Sequence, residues 1–572
     1  MPVVEVLKFG SSVLRSAGEL HIAVDEIYRR WRAGARVLAV VSAFEGVTDQ
    51  LLKDAADLFG AESPEATAAY VATGEQRTAA LLTGLLRRSG IPVRLIEPRE
   101  INLIAEGTIL ESAPTAVDAT ALERLWRTFP ILVLPGFYGI DVEGHTALFG
   151  RGGSDLSALF LAAELRGRCR LLKDVSGVFD VDPAGNPLAH RFTSLSWPTA
   201  IGVAGPLVQP KALRYADSRT LPFWVGRPNE QACTLVGHLE NEWATSVRAN
   251  QPLRVALLGC GVVGRGVYDA LKRYPQAFDI RHVVVGQLAN YPDIPERTND
   301  RAIVVDDAID IVVESFGGVG YAYPLISGAL AKGKFVVTAN KAVLAARWAH
   351  LSKYRRGPKR QLWYSAAVGG ALPVLETLEN LATLNYAVNE IRGIVNGTCG
   401  VVLDACAQGF TLADAIARAE SQGFAEADPT RDLSGRDSAD KLSLMMESAF
   451  GQWMPPEDIR TRGVDTITGA PYGYKLIARA RRTEHGIVAS VEPESPAPDS
   501  FLGHASGPEN RIEIELESGK VLKLRGQGAG RWPTTVSVLG DLHEIARLVE
   551  VRATASSREN HDPHNPSVLE YS

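Results

Sequence analysis

Leu253-Arg-Val-Ala-Leu-Leu258 runs straight into Gly259-Cys-Gly261-Val262-Val263-Gly264-Arg-Gly266, and Val267-Tyr-Asp-Ala-Leu-Lys follows. The opening residues have the apolar character of a buried strand, and the closing ones read as a helix. The glycines between them have separate tasks. Gly259 permits a tight turn, Gly261 lets an anion approach backbone N–H groups, and Gly264 allows close packing of helix on sheet. Gly259, Gly261, Val262, Val263 and Gly264 are therefore expected to line a bound pyrophosphate. This unit begins in mid-chain, with a domain's length before it and about 300 residues after it. The chain reads as two halves joined near residue 250.

Composition narrows the classes of partner. A chain of 572 residues with 46% hydrophobic content can bury several cores, and its net charge of −6 offers no basic field for nucleic acid or membrane phosphates. Small-molecule substrates are the expected partners. Cys169, Cys233, Cys260, Cys399 and Cys406 are scattered without C-x-x-C spacing, which argues against a disulfide framework or a structural zinc site and fits a reducing cytoplasm. The segment from Met1 to Lys8 opens directly into a strand without the marks of a signal peptide, and no apolar run reaches membrane-spanning length. A cytoplasmic location is expected.

In the first half, Val3 to Phe9 and Arg36 to Val41 are apolar strands separated by a helical segment, the rhythm of a parallel sheet whose ligands gather at the carboxyl edge. The absence of G-x-x-x-x-G-K-[ST] excludes a P-loop kinase. Phe149-Gly150-Arg151-Gly152-Gly153-Ser154-Asp155 opens a helix, so amides and the charges of Arg151 and Asp155 meet at one place suited to a zwitterion and a phosphate. Leu171-Leu-Lys173-Asp174 leads through Phe179 to the acidic turn Asp182-Pro183.

Together with Val41-Ser42-Ala43, Thr48, Gly74-Glu75 and Gly136-Phe137, these motifs resemble the catalytic domain of aspartokinases, of the amino-acid kinase fold, over nearly all of residues 1–235. The resemblance implies that Ser42, Thr48, Glu75, Phe137, Arg151, Ser154 and Asp155 surround aspartate. It implies that Lys8, Gly10, Lys173, Asp174, Phe179 and Lys211 face ATP with Mg, Lys8 and Asp174 serving catalysis. Three positions depart from the family pattern. Ser11 replaces a glycine, Val13 a serine, and Ala184 an arginine. The segment from Pro228 to Gln251 is too short for a regulatory domain, so no built-in amino-acid sensor is expected.

In the second half, His282 to Leu288 reads as the second strand of a Rossmann domain, ending in Gly286-Gln287 without the carboxylate that commonly selects NAD. This favours NADP, with NAD the alternative, and makes Arg265 or Arg281 candidate partners of a 2′-phosphate. Lys334 to Thr338 is another strand, delivering Asn340 and Lys341 to the sheet edge, where a lysine is a candidate proton donor. Asp437 and Lys441 lie four apart on a helix beginning near Ser434 and share a face.

Thr338-Ala-Asn340-Lys341, Val368-Gly-Gly370, Val395-Asn396-Gly-Thr398, Glu426 through Leu442 and Gly526-Gln-Gly528-Ala-Gly530 together resemble homoserine dehydrogenases over residues 253–545. The resemblance implies reduction of aspartate 4-semialdehyde to homoserine. Lys441, Asp437 and Lys341 would be catalytic, Glu426, Asp432, Asn396 and Thr398 would bind substrate, and Thr338, Asn340 and Gly526 would bind cofactor. It also implies a homodimer or higher homo-oligomer. Ser365 stands where the family usually has an acidic residue, so the monovalent cation of Ser365 and Val368 is left unassigned.

The expected fold is α/β throughout. The boundaries are 1–238 for the kinase-like domain, 239–252 for a linker, 253–385 with 526–550 for the Rossmann domain, 386–525 for an α+β catalytic and dimerisation domain, and 551–572 for a mobile tail. A second reading keeps the dehydrogenase and makes the first half a non-catalytic ligand-binding or assembly module, motivated by Ser11, Val13 and Ala184.

Overall fold

Buried, β-branched runs set the sheets of both halves. The computed structural model describes the chain except residues 1, 61, 187–188, 206, 245–250, 358–359, 426–427, 468–472 and 560–572, and the side chains of 553–559. It divides into two units, one built mainly of residues before 250 and one of Asn250–Glu550.

In the first unit a nine-stranded sheet runs in the order Glu242–Trp243, Phe192–Ser196, Cys233–Gly237, Phe223–Gly226, Arg168–Leu172, Val4–Phe9, Arg36–Val41, Ile131–Pro135, Val93–Leu95. Its centre is parallel, with Lys8 in register with Val40 on one side and Leu171 on the other. Val6, Leu7, Phe9 and Val37 to Val41 are fully buried, as strands covered on both faces must be. The helix Gly153–Glu164 packs on the strand Val4–Phe9, and its residues Ala158 to Ala162 are at zero exposure. A four-stranded sheet of Glu111–Ala116, Ile104–Thr108, Tyr138–Ile140 and Thr146–Leu148 stands apart from the main one.

The second unit holds an all-parallel six-stranded sheet in the order Arg297–Thr298, Phe278–Val284, Leu253–Leu258, Ile311–Glu314, Phe335–Thr338, Leu362–Trp363. Strand order reverses at Leu253–Leu258, the topological switch point at which such sheets bind ligands. The other sheet is antiparallel but for one edge pair, and contains Gly486–Glu494, Lys475–Thr483, Val388–Ile394, Glu509–Leu516 and Val521–Gln527. The helix Arg436–Phe450 packs against this sheet and against the helix Lys341–Leu351. The helix Arg531–Glu559 returns to the parallel sheet, where Val538, Leu539, Leu542 and Ile545 share a core with Val255, Leu257 and Ile311.

Several expectations are corrected. The segment expected as linker contributes Glu242–Trp243 to the first sheet, with Trp243 stacked on Phe192 at 3.8 Å between ring centroids. The expected tail is helical as far as Glu559, because the helix that enters the cofactor core continues past 550, and 560–572 lie outside the described residues. The second Rossmann strand starts at Phe278, whose buried ring anchors it, and ends at Val284. The Asp437 helix starts at Arg436, after the left-handed Gly435. Gly526 lies in the strand Val521–Gln527, paired with Asn510, so only the glycines beyond it are irregular.

Candidate active sites

Lys8, at the carboxyl end of its strand, places Nζ 2.7 Å from Asp155 Oδ1, while Lys173 Nζ lies 2.9 Å from Asp155 Oδ2. Asp155 is in the first turn of the helix Gly153–Glu164, where the helix dipole favours a carboxylate. The glycines before it are fixed by packing as well as by turn geometry. Gly150 has φ of 68°, and a Cβ there would overlap the Glu111 carboxylate. A Cβ at Gly10 would come 3.0 Å from Lys8 Nζ, so the bare backbone leaves room for the ammonium.

Burial opposes ionisation of Asp155, but Lys173 and Lys8 outweigh it and hold the carboxyl at about 2. Lys8 is pulled down to about 8, chiefly by burial, against the attraction of Asp155. Glu75 is 1% exposed, accepts from Ala43 N at 3.1 Å through Oε1, and leaves Oε2 without a partner. Burial lifts it to about 7.

The remaining first-half positions are less uniform. Ser154 is buried, Ser42 and Thr48 are half-buried, and Arg151 is exposed. Phe137 adopts φ of 73° and donates its N–H to Ser157 Oγ at 3.2 Å. Asp174 is exposed, and Phe179 is bridged to Arg191. Lys211 donates to Glu111 Oε1 and to the carbonyls of Ser112 and Phe149 at 2.8 to 3.0 Å, bracing the loop before the Asp155 helix. Ser11 is exposed and keeps an ordinary negative φ, so its Cβ strains nothing.

The second half repeats the lysine–carboxylate pattern. Lys441 Nζ is 2.7 Å from Asp437 Oδ2 and donates to Val395 O at 2.7 Å, and Lys341 Nζ lies 2.9 Å from Asp437 Oδ1. Asp437 and Lys441 are 5% and 7% exposed, which rules out a solvated surface pair. Asn396 donates to Asp432 Oδ1 at 2.6 Å and Asp437 Oδ2 at 2.9 Å, and its own Oδ1 caps the helix Gly397–Ala407 by accepting from Cys399 N. Thr398 donates to Phe424 O at 2.7 Å, and Glu426 lies outside the described residues. Burial alone would raise Asp437, but Lys441 and Lys341 hold it far below the carboxylate range. Burial likewise opposes the charge on Lys341, yet Asp437 keeps it above the ordinary lysine value. Asp432 is shifted up by burial and by the charge of Asp437.

Lys341 begins its helix directly beyond the strand Phe335–Thr338, so this cluster stands at the carboxyl edge of the parallel sheet. At the glycine loop a Cβ on Gly264 would come 2.2 Å from Gly259 O, whereas one on Gly261 would meet nothing within 4 Å. The loop is closed towards its own helix and open on the side from which a pyrophosphate comes. Val262 is exposed and Val263 half-buried at the start of that helix.

Two buried carboxylates beside these residues escaped the sequence reading. Glu314, 1% exposed, accepts from Thr338 Oγ1 at 2.6 Å, Phe316 N at 2.8 Å and Asn340 Nδ2 at 3.4 Å, tying together the two strand ends beside the glycine loop. Asp541, fully buried, accepts from Ser365 N at 3.1 Å and Ser365 Oγ at 2.7 Å. A carboxylate from the last helix thus stands against Ser365. Among the described residues no group of three or more His, Cys, Asp or Glu could hold a metal ion, and no helix is long and apolar enough to cross a membrane.

Comparison with known proteins agrees with this geometry. Family models match residues 373–543 as homoserine dehydrogenase, 259–364 as the homoserine dehydrogenase NAD-binding domain, and 4–219 as the amino acid kinase family. The homoserine dehydrogenase of Pseudomonas aeruginosa is 33% identical over 334 residues, 55% of this chain and 76% of that protein. The chain belongs to the homoserine dehydrogenase family. The dehydrogenase of Corynebacterium glutamicum is 32% identical over 51% of this chain and 72% of its own length. A solved homoserine dehydrogenase from Thiobacillus denitrificans aligns with a TM-score of 0.50 at 30% identity, covering 55% of this chain and 76% of that one. The chain thus joins an amino acid kinase domain to a nicotinamide-binding homoserine dehydrogenase.

Proposed function

We propose that the dehydrogenase half reduces aspartate 4-semialdehyde to homoserine and that the kinase half phosphorylates aspartate with ATP and Mg. The observation that carries the first assignment is the Lys341–Asp437–Lys441 cluster at the edge of the cofactor sheet, with Asp437 and Lys441 buried. Bound nicotinamide supplies the hydride. Lys441, or Lys341 through a water, holds a proton at Nζ for the oxygen of the reacting carbonyl, and Asp437 aims both ammonium groups and favours the charged form of Lys341. Asp432, with Asn396 orienting it and Glu426 beside it in sequence, takes the substrate ammonium.

In the kinase half Lys8 and Lys173 bring two cationic groups to one carboxylate, an arrangement suited to stabilising a transferring phosphoryl group without a strong base. Glu75, with an oxygen left unpartnered, is suited to receive the ammonium of aspartate. Gly10, Asp174 and Phe179 complete the nucleotide side, and Lys211 acts by bracing the glycine loop.

NADPH is the proposed reductant, because the strand Phe278–Val284 leads to Val285-Gly286-Gln287 without a carboxylate to bind a ribose hydroxyl. Arg265, held by Asp269 and Asp293 at 3.1 and 2.5 Å, is the proposed phosphate partner. A homodimer through the dehydrogenase catalytic domain belongs to the same proposal, and light scattering on the purified chain tests it. The catalytic assignments are tested by homoserine-dependent reduction of NADP and by hydroxamate formation from aspartate, ATP and hydroxylamine. Failure of either reaction removes the corresponding half of the proposal.

A further inference from the structure

Arg355 has no part in the chemistry above, yet it is among the most deeply buried charges of the dehydrogenase half, with its side chain 2% exposed. It follows the helix Lys341–Leu351 by one short turn, Ser352–Tyr354. Nη1 lies 3.2 Å from Glu447 Oε1, and Nη2 donates to Ser448 Oγ at 2.6 Å and to Glu379 Oε1 at 3.2 Å. Arg360 steadies the other oxygen of Glu379 at 3.0 Å, and Arg356 also reaches Glu447 at 3.2 Å. The guanidinium lies 5.9 Å from the ring of Trp348, on the Lys341 helix itself.

Glu447 and Ser448 are in the last turn of the helix whose first turn holds Asp437. The segment from Lys341 to Arg355, helical to Leu351 with one kink at Arg347, is therefore tied to the Asp437 helix at both of its ends. Lys341 meets Asp437 at the start, and Arg355 meets Glu447 and Ser448 at the finish, about 15 Å further along. Two attachments fix axial register where one would leave the helices free to slide. A slide of an ångström at the far end would lengthen the contact between Lys341 and Asp437, the kind of misplacement that costs catalysis heavily.

We propose that Arg355 is a positioning residue for the dehydrogenase reaction, setting the register of the cofactor-side helix against the substrate-side helix and through it the aim of Lys341 at Asp437. The inference rests on the proton-delivery reading above. Buried guanidinium groups also serve as plain structural ties, so the test must separate aim from stability.

The test is a mutant cycle on the full chain, reading kcat, both KM values and the melting temperature for homoserine oxidation. Arg355→Met is expected to lower kcat about tenfold or more with each KM moved less than about threefold. In a Lys341→Ala background the same change is expected to lower kcat less than about twofold further, because the geometry it protects is already gone. Glu447→Gln, which keeps the side chain's size, repeats the cycle if Arg355→Met does not fold. Equal losses in both backgrounds, or a lowered melting temperature with kcat intact, overturn the inference while leaving the proton-delivery reading in place. An unchanged kcat in Lys341→Ala removes Lys341 from proton delivery, and the inference with it, while Lys441 remains as donor and is tested by Lys441→Ala.

Discussion

The two halves hold the same device in different surroundings. In each, one buried aspartate near a helix start is clamped by two lysines at 2.7 to 2.9 Å, Asp155 by Lys8 and Lys173 from two strand ends, and Asp437 by Lys341 from a neighbouring helix and Lys441 one turn along its own. In the kinase half burial wins at Lys8, which falls to about 8. In the dehydrogenase half the half-exposed Lys341 is held above its ordinary value by Asp437. A lysine on the edge of neutrality gains most from an arriving anion, whereas one held firmly charged keeps its proton for donation. The same three side chains thus suit phosphoryl transfer in one place and carbonyl reduction in the other.

The comparison breaks most visibly at the lysines themselves. Lys441→Ala should lower kcat for homoserine oxidation by about 10² to 10⁴, the usual worth of a general acid, with hydroxamate formation by the kinase unchanged. A dehydrogenase rate that survives the substitution ends the role given to Lys441. Lys8→Ala should lower hydroxamate formation by about 10² or more while leaving the dehydrogenase intact. Persistent kinase activity in that variant would mean that Asp155 and Lys173 suffice, and a wild-type chain without kinase activity would favour the non-catalytic module.

The pH profiles sharpen the contrast. Glu75 at about 7 must be ionised to take an ammonium, and Lys8 at about 8 must stay protonated, so kcat/KM for aspartate should rise towards pH 7 and fall beyond pH 8. The dehydrogenase should show no alkaline limb from Lys341 in that window. Glu75 also carries a stability signature. Its folded pKa lies above the ordinary 4.5, so the folded protein binds the extra proton and stability drains away as pH rises from 4.5 through about 7. Full ionisation costs roughly 3 kcal/mol, so Glu75→Gln should raise the melting temperature more at pH 8 than at pH 5 while weakening aspartate binding. A melting temperature equally shifted at both pH values would remove the raised pKa from the account. The smallest effect expected is at Arg265, whose change to Ala should raise KM for NADPH several-fold, about 1 kcal/mol, without changing KM for NADH.

Much of this was legible where local pattern and chemistry coincide. The glycines after Leu258 declare a strand, a turn and a helix within a dozen residues, and Asp437 and Lys441 announce one face of one helix. What escaped depends on distance. Glu314 ends an apolar strand and meets Thr338 24 residues on, and Asp541 finds Ser365 across 176 residues. A lone acid in a hydrophobic run gives no sign of its partner. The linker and tail were misjudged for the opposite reason, since polar composition does not prevent an edge strand such as Glu242–Trp243 or the continuation of a helix already anchored upstream.

The last helix also bears on how the protein is made. Val538, Leu542 and Ile545 complete the core that Leu257 begins, and Asp541 secures Ser365 from the same helix. During synthesis the core of the first half, drawn from Val6 to Val236, emerges before any residue of this helix. The nicotinamide-binding core stays incomplete until the helix Arg531–Glu559 has emerged, which makes its unfinished sheet the place where a nascent chain would need a chaperone.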